Sequence, residues 1–173
     1  MSFQLLRFPY VALSTIMSFF DPTDIFLLSL CSKKAFQTMK SHIFNSLDLD
    51  IWMTNWNKET HAEFYSCGKK GSFIKIRKIG TMPCDIANFE KVKIKGYEIP
   101  IGWNEEEELW EAYWKLTKLG SKTIMTHICD LFKRDIKYVL VTKESFWLID
   151  WINSCQDTLS SVYFPPQLGV QDD

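Results

Sequence analysis

Two prolines, Pro9 and Pro22, bracket the stretch that most constrains how this chain folds. Proline fixes its own φ and has no N–H to donate, so it suits the first turn of a helix and not its interior. A helix is therefore predicted to begin near Pro9. Leu13, Ile16, Met17 and Phe20 follow at offsets of three and four and line one face of it. Asp21-Pro22 ends that helix, and Asp21 or Thr23 is placed to cap the next. Ile25, Leu28, Cys31 and Phe36 carry the apolar period on through Lys40, so the reading is three short helices. A piece of about forty residues encloses too little interior to be stable alone. Its apolar residues also occupy several faces, since Tyr10, Val11 and Phe19 lie off the first stripe and Phe26 and Leu27 flank Leu28. Helices of that kind are buried on most sides, against a partner or against later parts of their own chain.

In order and spacing, Phe8-Pro9, Leu13, Ile16-Met17, Phe20, Asp24-Ile25, Leu28-Ser29, Cys31-Ser32-Lys33 and Phe36 resemble the F-box motif without a gap. Val11 stands where that family commonly has Glu, while Phe8, Met17 and Phe36 are apolar exchanges of similar volume. The resemblance implies a three-helix F-box over residues 3–45 that docks on a Skp-type adaptor protein and, through it, on a cullin. The docking residues it implies are Phe8, Pro9, Val11, Leu13, Ile16, Met17, Phe20, Ile25 and Leu28. It further implies a substrate adaptor in ubiquitin-dependent degradation, with the rest of the chain choosing a protein substrate. No catalysis is implied: the ligase chemistry belongs to other subunits.

Charge and cysteine usage narrow the setting. Twenty basic residues against twenty-one acidic leave a net charge of -1, too little for a global pull toward nucleic acid or anionic membrane. The five cysteines are odd in number and scattered without a C-x-x-C pair, which argues against a disulfide framework and a zinc site. The uncharged run from Phe8 to Phe20 is shorter than the roughly twenty residues a bilayer span needs. A soluble protein of the cytoplasm or nucleus, with no cofactor and no bound metal, is the expectation.

Beyond Lys40 the period changes to two. Leu47, Leu49, Ile51 and Met53 alternate as on a half-buried strand, and further short strands are predicted at Glu63–Cys67, Ser72–Lys78, Lys91–Lys95 and Tyr97–Ile101. Gly68, Gly71, Gly80 and Gly96 punctuate them, giving a small antiparallel meander in a strand-rich linker over residues 46–103. Asn104 is predicted to cap a helix whose first turn holds Glu105 to Glu108, with Leu109, Tyr113 and Leu116 at helical spacing and Gly120 ending or interrupting it. A second helix, Ser121–Lys133, precedes a strand at Ile136–Val141, a helix at Glu144–Cys155 and a strand at Leu159–Phe164. Strand, helix, strand in that order predicts a parallel crossover, so residues 104–173 read as a helical segment opening an α/β region. The whole is an α+β chain. Phe146 to Gln156, chiefly Asp150-Trp151-Ile152-Asn153, resembles the start of the type 2 F-box-associated region of nematode F-box families. That resemblance implies a short or truncated member.

Other chemistry is weaker. His127 and Cys129 stand two residues apart on a predicted helix, on nearly opposite faces, and His42 and His61 lack companions at ligand spacing. No phosphate loop, dinucleotide fingerprint or nucleophile elbow occurs. Lys69, Lys70, Lys75, Arg77 and Lys78 around Phe73 allow a competing reading, a basic aromatic strand for single-stranded nucleic acid, although a solvated strand face is favoured. Trp103, Trp110 and Trp114 are expected to pack a long helix on the meander, with Trp52 or Trp56 exposed. A truncated family member that recruits no substrate is the last alternative.

Overall fold

The computed structural model describes residues 9–42, 49–56, 59–66, 69–82 and 89–165. Pro9 precedes α1 (Tyr10–Met17), and its carbonyl accepts from the Leu13 N–H at 3.0 Å. Asp21 caps α2 (Pro22–Leu30) by accepting from the Asp24 N–H at 2.8 Å, with Pro22 in the first turn where its missing donor is harmless. The Ser32 hydroxyl accepts from the Ala35 N–H at 3.0 Å as α3 (Lys33–His42) begins. These three helices lie where the proline and periodicity argument puts them.

Eight strands then form one mixed sheet: β1 (Leu49–Trp56), β2 (Glu59–Ser66), β3 (Lys69–Lys78), β4 (Phe89–Ile94), β5 (Tyr97–Asn104), β6 (Leu109–Trp114), β7 (Ile136–Leu140) and β8 (Ser161–Tyr163). Their order across the sheet is β4-β5-β6-β3-β2-β1-β7-β8. The meander pairs antiparallel within β1-β2-β3 and within β4-β5-β6, while β3 meets β6 in parallel. The predicted crossover is present: β7 and β8 run parallel, joined through α5 (Trp147–Cys155), and β7 adds in parallel to β1. Leu49, Ile51 and Met53 are buried as the alternation requires, whereas Leu47, Cys67 and Gly68 lie outside the described residues. The chain is thus α+β, with N-terminal helices, a strand meander and further helices and strands.

The helix predicted from Asn104 does not form. The Asn104 side chain does cap, accepting from the N–H groups of Glu106 and Glu107 at 3.0 and 3.1 Å, but the cap closes a hairpin turn. Glu108 then takes a left-handed φ of 50° and the chain returns as β6. Leu109 and Tyr113 share a helical spacing, yet Leu116, the third residue of that stripe, is 66% exposed. The strand buries both faces, Glu111 and Tyr113 on one side and Ala112 and Trp114 on the other, so it lacks the alternation by which a strand is recognised. Gly120 likewise neither ends nor breaks a helix. It sits inside α4 (Thr117–Phe132), where a Cβ would lie 2.4 Å from Cγ of Trp114. Glycine there lets α4 lie directly on β6.

One face of the sheet carries the helices. The Ser121 hydroxyl on α4 donates to Thr60 on β2 at 2.9 Å, and Phe132 meets Phe64 with ring centroids 5.0 Å apart. From the N-terminal helices, Phe26 packs edge-on against Phe73 of β3 at 4.6 Å. Leu13, Met17, Ile25 and Phe26 join Ile51, Met53, Ile74, Ile76 and Ile128 in a single apolar cluster, so helices and sheet share one core.

Candidate functional site

The nine residues named for adaptor docking divide by burial. Leu13, Met17 and Ile25 are interior, Leu13 at 2% exposure, and support the helices from within. Ile16, Phe20 and Leu28 are half-buried and pack against the core, while Pro9 and Val11 are exposed; Phe8 lies outside the described residues. Two apolar residues off the predicted stripe are more available than most of those on it. Tyr10 is 55% exposed and Phe19 is 83% exposed, beside Val11 at 75%. Val11, which departs from the usual acidic residue, therefore adds apolar surface to α1. The buried members of the predicted stripe, Leu13 and Met17, join the core that the helices share with the sheet.

Behind this helical face, between α2–α3 and the β4–β5–β6 end of the sheet, lies a cleft of about 1110 Å³. Phe36 and the half-buried Trp110 stand in its walls with Trp103, which is 42% exposed and meets Trp110 edge-on at 5.7 Å. The tryptophans expected to pack a long helix thus partly line a cavity, and Trp114 alone of the three seats a helix. Trp52 is not left bare: it stacks between Tyr65 at 3.9 Å and Tyr138 at 4.3 Å, while the Trp56 side chain is outside the description. His127 reaches the cleft from α4. Its Nε2 lies 2.8 Å from the Ser29 hydroxyl, which itself donates to the Phe26 carbonyl at 2.6 Å. With the one hydroxyl hydrogen spent on that carbonyl, Nε2 is the donor to Ser29. Burial, and after it Lys95, lowers the His127 pKa to about 4, so the ring is neutral at physiological pH. Cys129, half-buried on the same helix, has its thiol pushed up to about 12 by burial and then by Asp135, which holds it protonated. His127 and Cys129 therefore make no joint site. Among the described residues no group of three His, Cys, Asp or Glu side chains is placed to hold a metal.

Two of the basic residues on β3 are paired with acidic side chains. Lys75 is buried and sits between Glu59 and Glu107 at 2.8 and 2.7 Å. Arg77 reaches Glu59, Glu107 and the buried Glu111 at 3.1, 2.8 and 2.9 Å. Burial by itself lowers the Lys75 pKa, but hydrogen bonds to Glu107 and Glu59 outweigh it and hold the ammonium above its ordinary value. Glu107 is held below the carboxylate range, first by its bond from Lys75. Tyr113, whose hydroxyl donates to Glu111, is pushed up to about 12 by burial and then by that carboxylate. Phe73 is buried. Two of the five charges that suggested a nucleic-acid groove, Lys75 and Arg77, are neutralised within the fold, and Glu107 of the Glu105 to Glu108 run supplies part of the neutralisation.

Residues 5–47 match the F-box domain, which typically binds a Skp-type adaptor in cullin-based ubiquitin ligases. That span holds α1, α2 and α3 and the exposed Tyr10, Val11 and Phe19. No curated protein and no solved structure matches the chain. Among the described residues no helix is long and apolar enough to cross a membrane.

Proposed function

We propose that this chain is a non-enzymatic adaptor that docks on a Skp-type protein through the outer face of its first helices and presents a protein substrate to a cullin-RING ubiquitin ligase. The reading rests on one conjunction: the F-box match over residues 5–47 coincides with apolar side chains that the chain's own core leaves uncovered. Exposed aromatics of this kind are typical anchors of protein interfaces. The sheet and α4 offer the surface for substrate recruitment. The resemblance of Phe146 to Gln156 to an F-box-associated region is part of the same proposal; those residues lie at α5 of the β7–α5–β8 crossover. A place in the cytoplasm or nucleus follows from it, because such ligases work there.

The test is co-purification of the whole chain with a Skp-type adaptor. Val11→Asp with Phe19→Asp should weaken binding by about tenfold or more while leaving the thermal midpoint unchanged, since both side chains are exposed. Leu13→Ala should instead lower stability by about 2 to 5 kcal/mol, because Leu13 is buried in the shared core. A folded wild-type chain that fails to bind, or an undiminished Val11/Phe19 variant, would end the proposal.

A further inference from the structure

The cleft behind the F-box helices has a charge pattern that the chain as a whole does not. The full sequence carries a net charge of -1, yet four lysines, Lys33, Lys91, Lys93 and Lys95, line the cleft against two carboxylates, Glu90 and Asp130. Asp130 is already taken by an ion pair with Lys40, and Lys91 leans on Glu98 at 3.5 Å. Lys33, Lys93 and Lys95 are exposed and make no ion pair among the described residues. Lys33 and Lys95 thus stand beside an apolar wall of Val92, Ile101 and Trp103, while Lys93, next to Val92 on the same strand and opposite Glu98 in register, projects from the other face of the sheet.

The geometry of the strand beside it is equally specific. β4 is the end strand of the sheet, so on its outer side alternate N–H and C=O groups have no strand partner among the described residues. An extended peptide adds to such an edge by backbone hydrogen bonds and is selected by its alternate side chains. A second copy of β4 brought alongside would set Lys91 and Lys93 against their own kind, which disfavours self-pairing. An acidic segment meets the opposite situation.

We propose that this cleft and the β4 edge bind an extended acidic peptide segment of the recruited protein, with one large apolar side chain seated against Trp103 and Val92, carboxylates on that side answered by Lys33 and Lys95, and a carboxylate on the alternate side of the added strand answered by Lys93. The inference deepens the adaptor reading, since it supplies the substrate class, and it rests on that reading for its biological meaning. Its physical content is independent of the adaptor. Strand-edge amides and the carboxylate of Glu90 on the same strand suit a peptide better than a phosphate backbone.

The experiment is selection of a random dodecapeptide display library on the intact chain without adaptor, followed by fluorescence polarisation with the enriched peptides. Enriched sequences should combine an aromatic or large aliphatic residue with flanking Asp and Glu. Their affinity should fall by about tenfold or more in Trp103→Ala and in the Lys33→Glu, Lys93→Glu double variant, whose exposed positions leave folding intact. No enrichment, enrichment of basic peptides, or affinity unchanged in both variants would overturn the proposal. So would tighter binding of a single-stranded oligonucleotide with the same lysine dependence. Both variants should still co-purify with the adaptor, so failure at the cleft and failure at the helical face are read separately.

Discussion

At the scale of single residues, His127 shows how burial converts a titratable group into a structural one. Its ring packs tilted against Phe36 at 4.7 Å and edge-on to Phe26 at 5.7 Å while Nε2 donates to Ser29. Because its folded-state pKa of about 4 lies below the ordinary 6.5, the unfolded chain takes up the proton first as pH falls. The stability supplied by the neutral ring is thus complete above pH 6.5 and is lost as pH drops from there through about 4. The expected slope is at most about 1.4 kcal/mol per pH unit from this group. Urea denaturation at stepped pH checks it: His127→Gln, which keeps a side-chain donor, should flatten the dependence in that window. A variant with the wild-type slope would assign the pH sensitivity to carboxylates instead. The sequence argued only against a joint site with Cys129, which stands on nearly the opposite side of a helix, and left His127 structural or solvent-exposed. Ser29, its partner 98 residues earlier, had no local signal.

Elements are decided by what they pack against as much as by their own period. α4 and β6 meet so closely at Gly120 and Trp114 that a methyl group has no room. Gly120→Ala gains about 1 kcal/mol of helix propensity but forces a buried indole aside, a cost of about 1 to 3 kcal/mol or more in a close-packed core. Net destabilisation of about 1 to 2 kcal/mol is expected by urea denaturation. Gly80→Ala, which meets nothing within 4 Å, should stay within about 0.5 kcal/mol. If the two variants behave alike, the close approach of helix to strand is not what holds α4 in place. The same pair of elements accounts for the misread segment after Asn104. Capping and the acidic first turn are local rules and were satisfied, but by a turn. β6 is a strand because β3 and β5 flank it, and strand partners from residues 74–78 and 101–104 leave no trace in the periodicity of 109–114.

For the whole molecule, the shared core has a consequence for how the chain folds. The F-box helices are tied to later segments by Phe26 on Phe73, Ser29 with His127 and Lys40 with Asp130. A fragment of residues 1–47 is therefore expected to show little helix by circular dichroism. The intact chain should unfold in one transition, with tryptophan fluorescence and far-ultraviolet signals coincident. A stably helical fragment, or two separated transitions, would make the helices an independent unit. The sequence by itself determined the three N-terminal helices, the alternating β1 and the final β7–α5–β8 crossover, because prolines, caps and apolar periods act over a few residues. It also displayed the F-box pattern without a gap, Val11 being its one departure in character, since that motif is a run of neighbouring positions. Tertiary structure alone decided which apolar faces remain uncovered, that Lys75 and Arg77 are neutralised by Glu59, Glu107 and Glu111, and that Trp103 and Trp110 stand together above a lysine-rimmed cleft. Those outcomes depend on burial and charge pairing between distant segments, which exist only once the sheet has brought its strands into register.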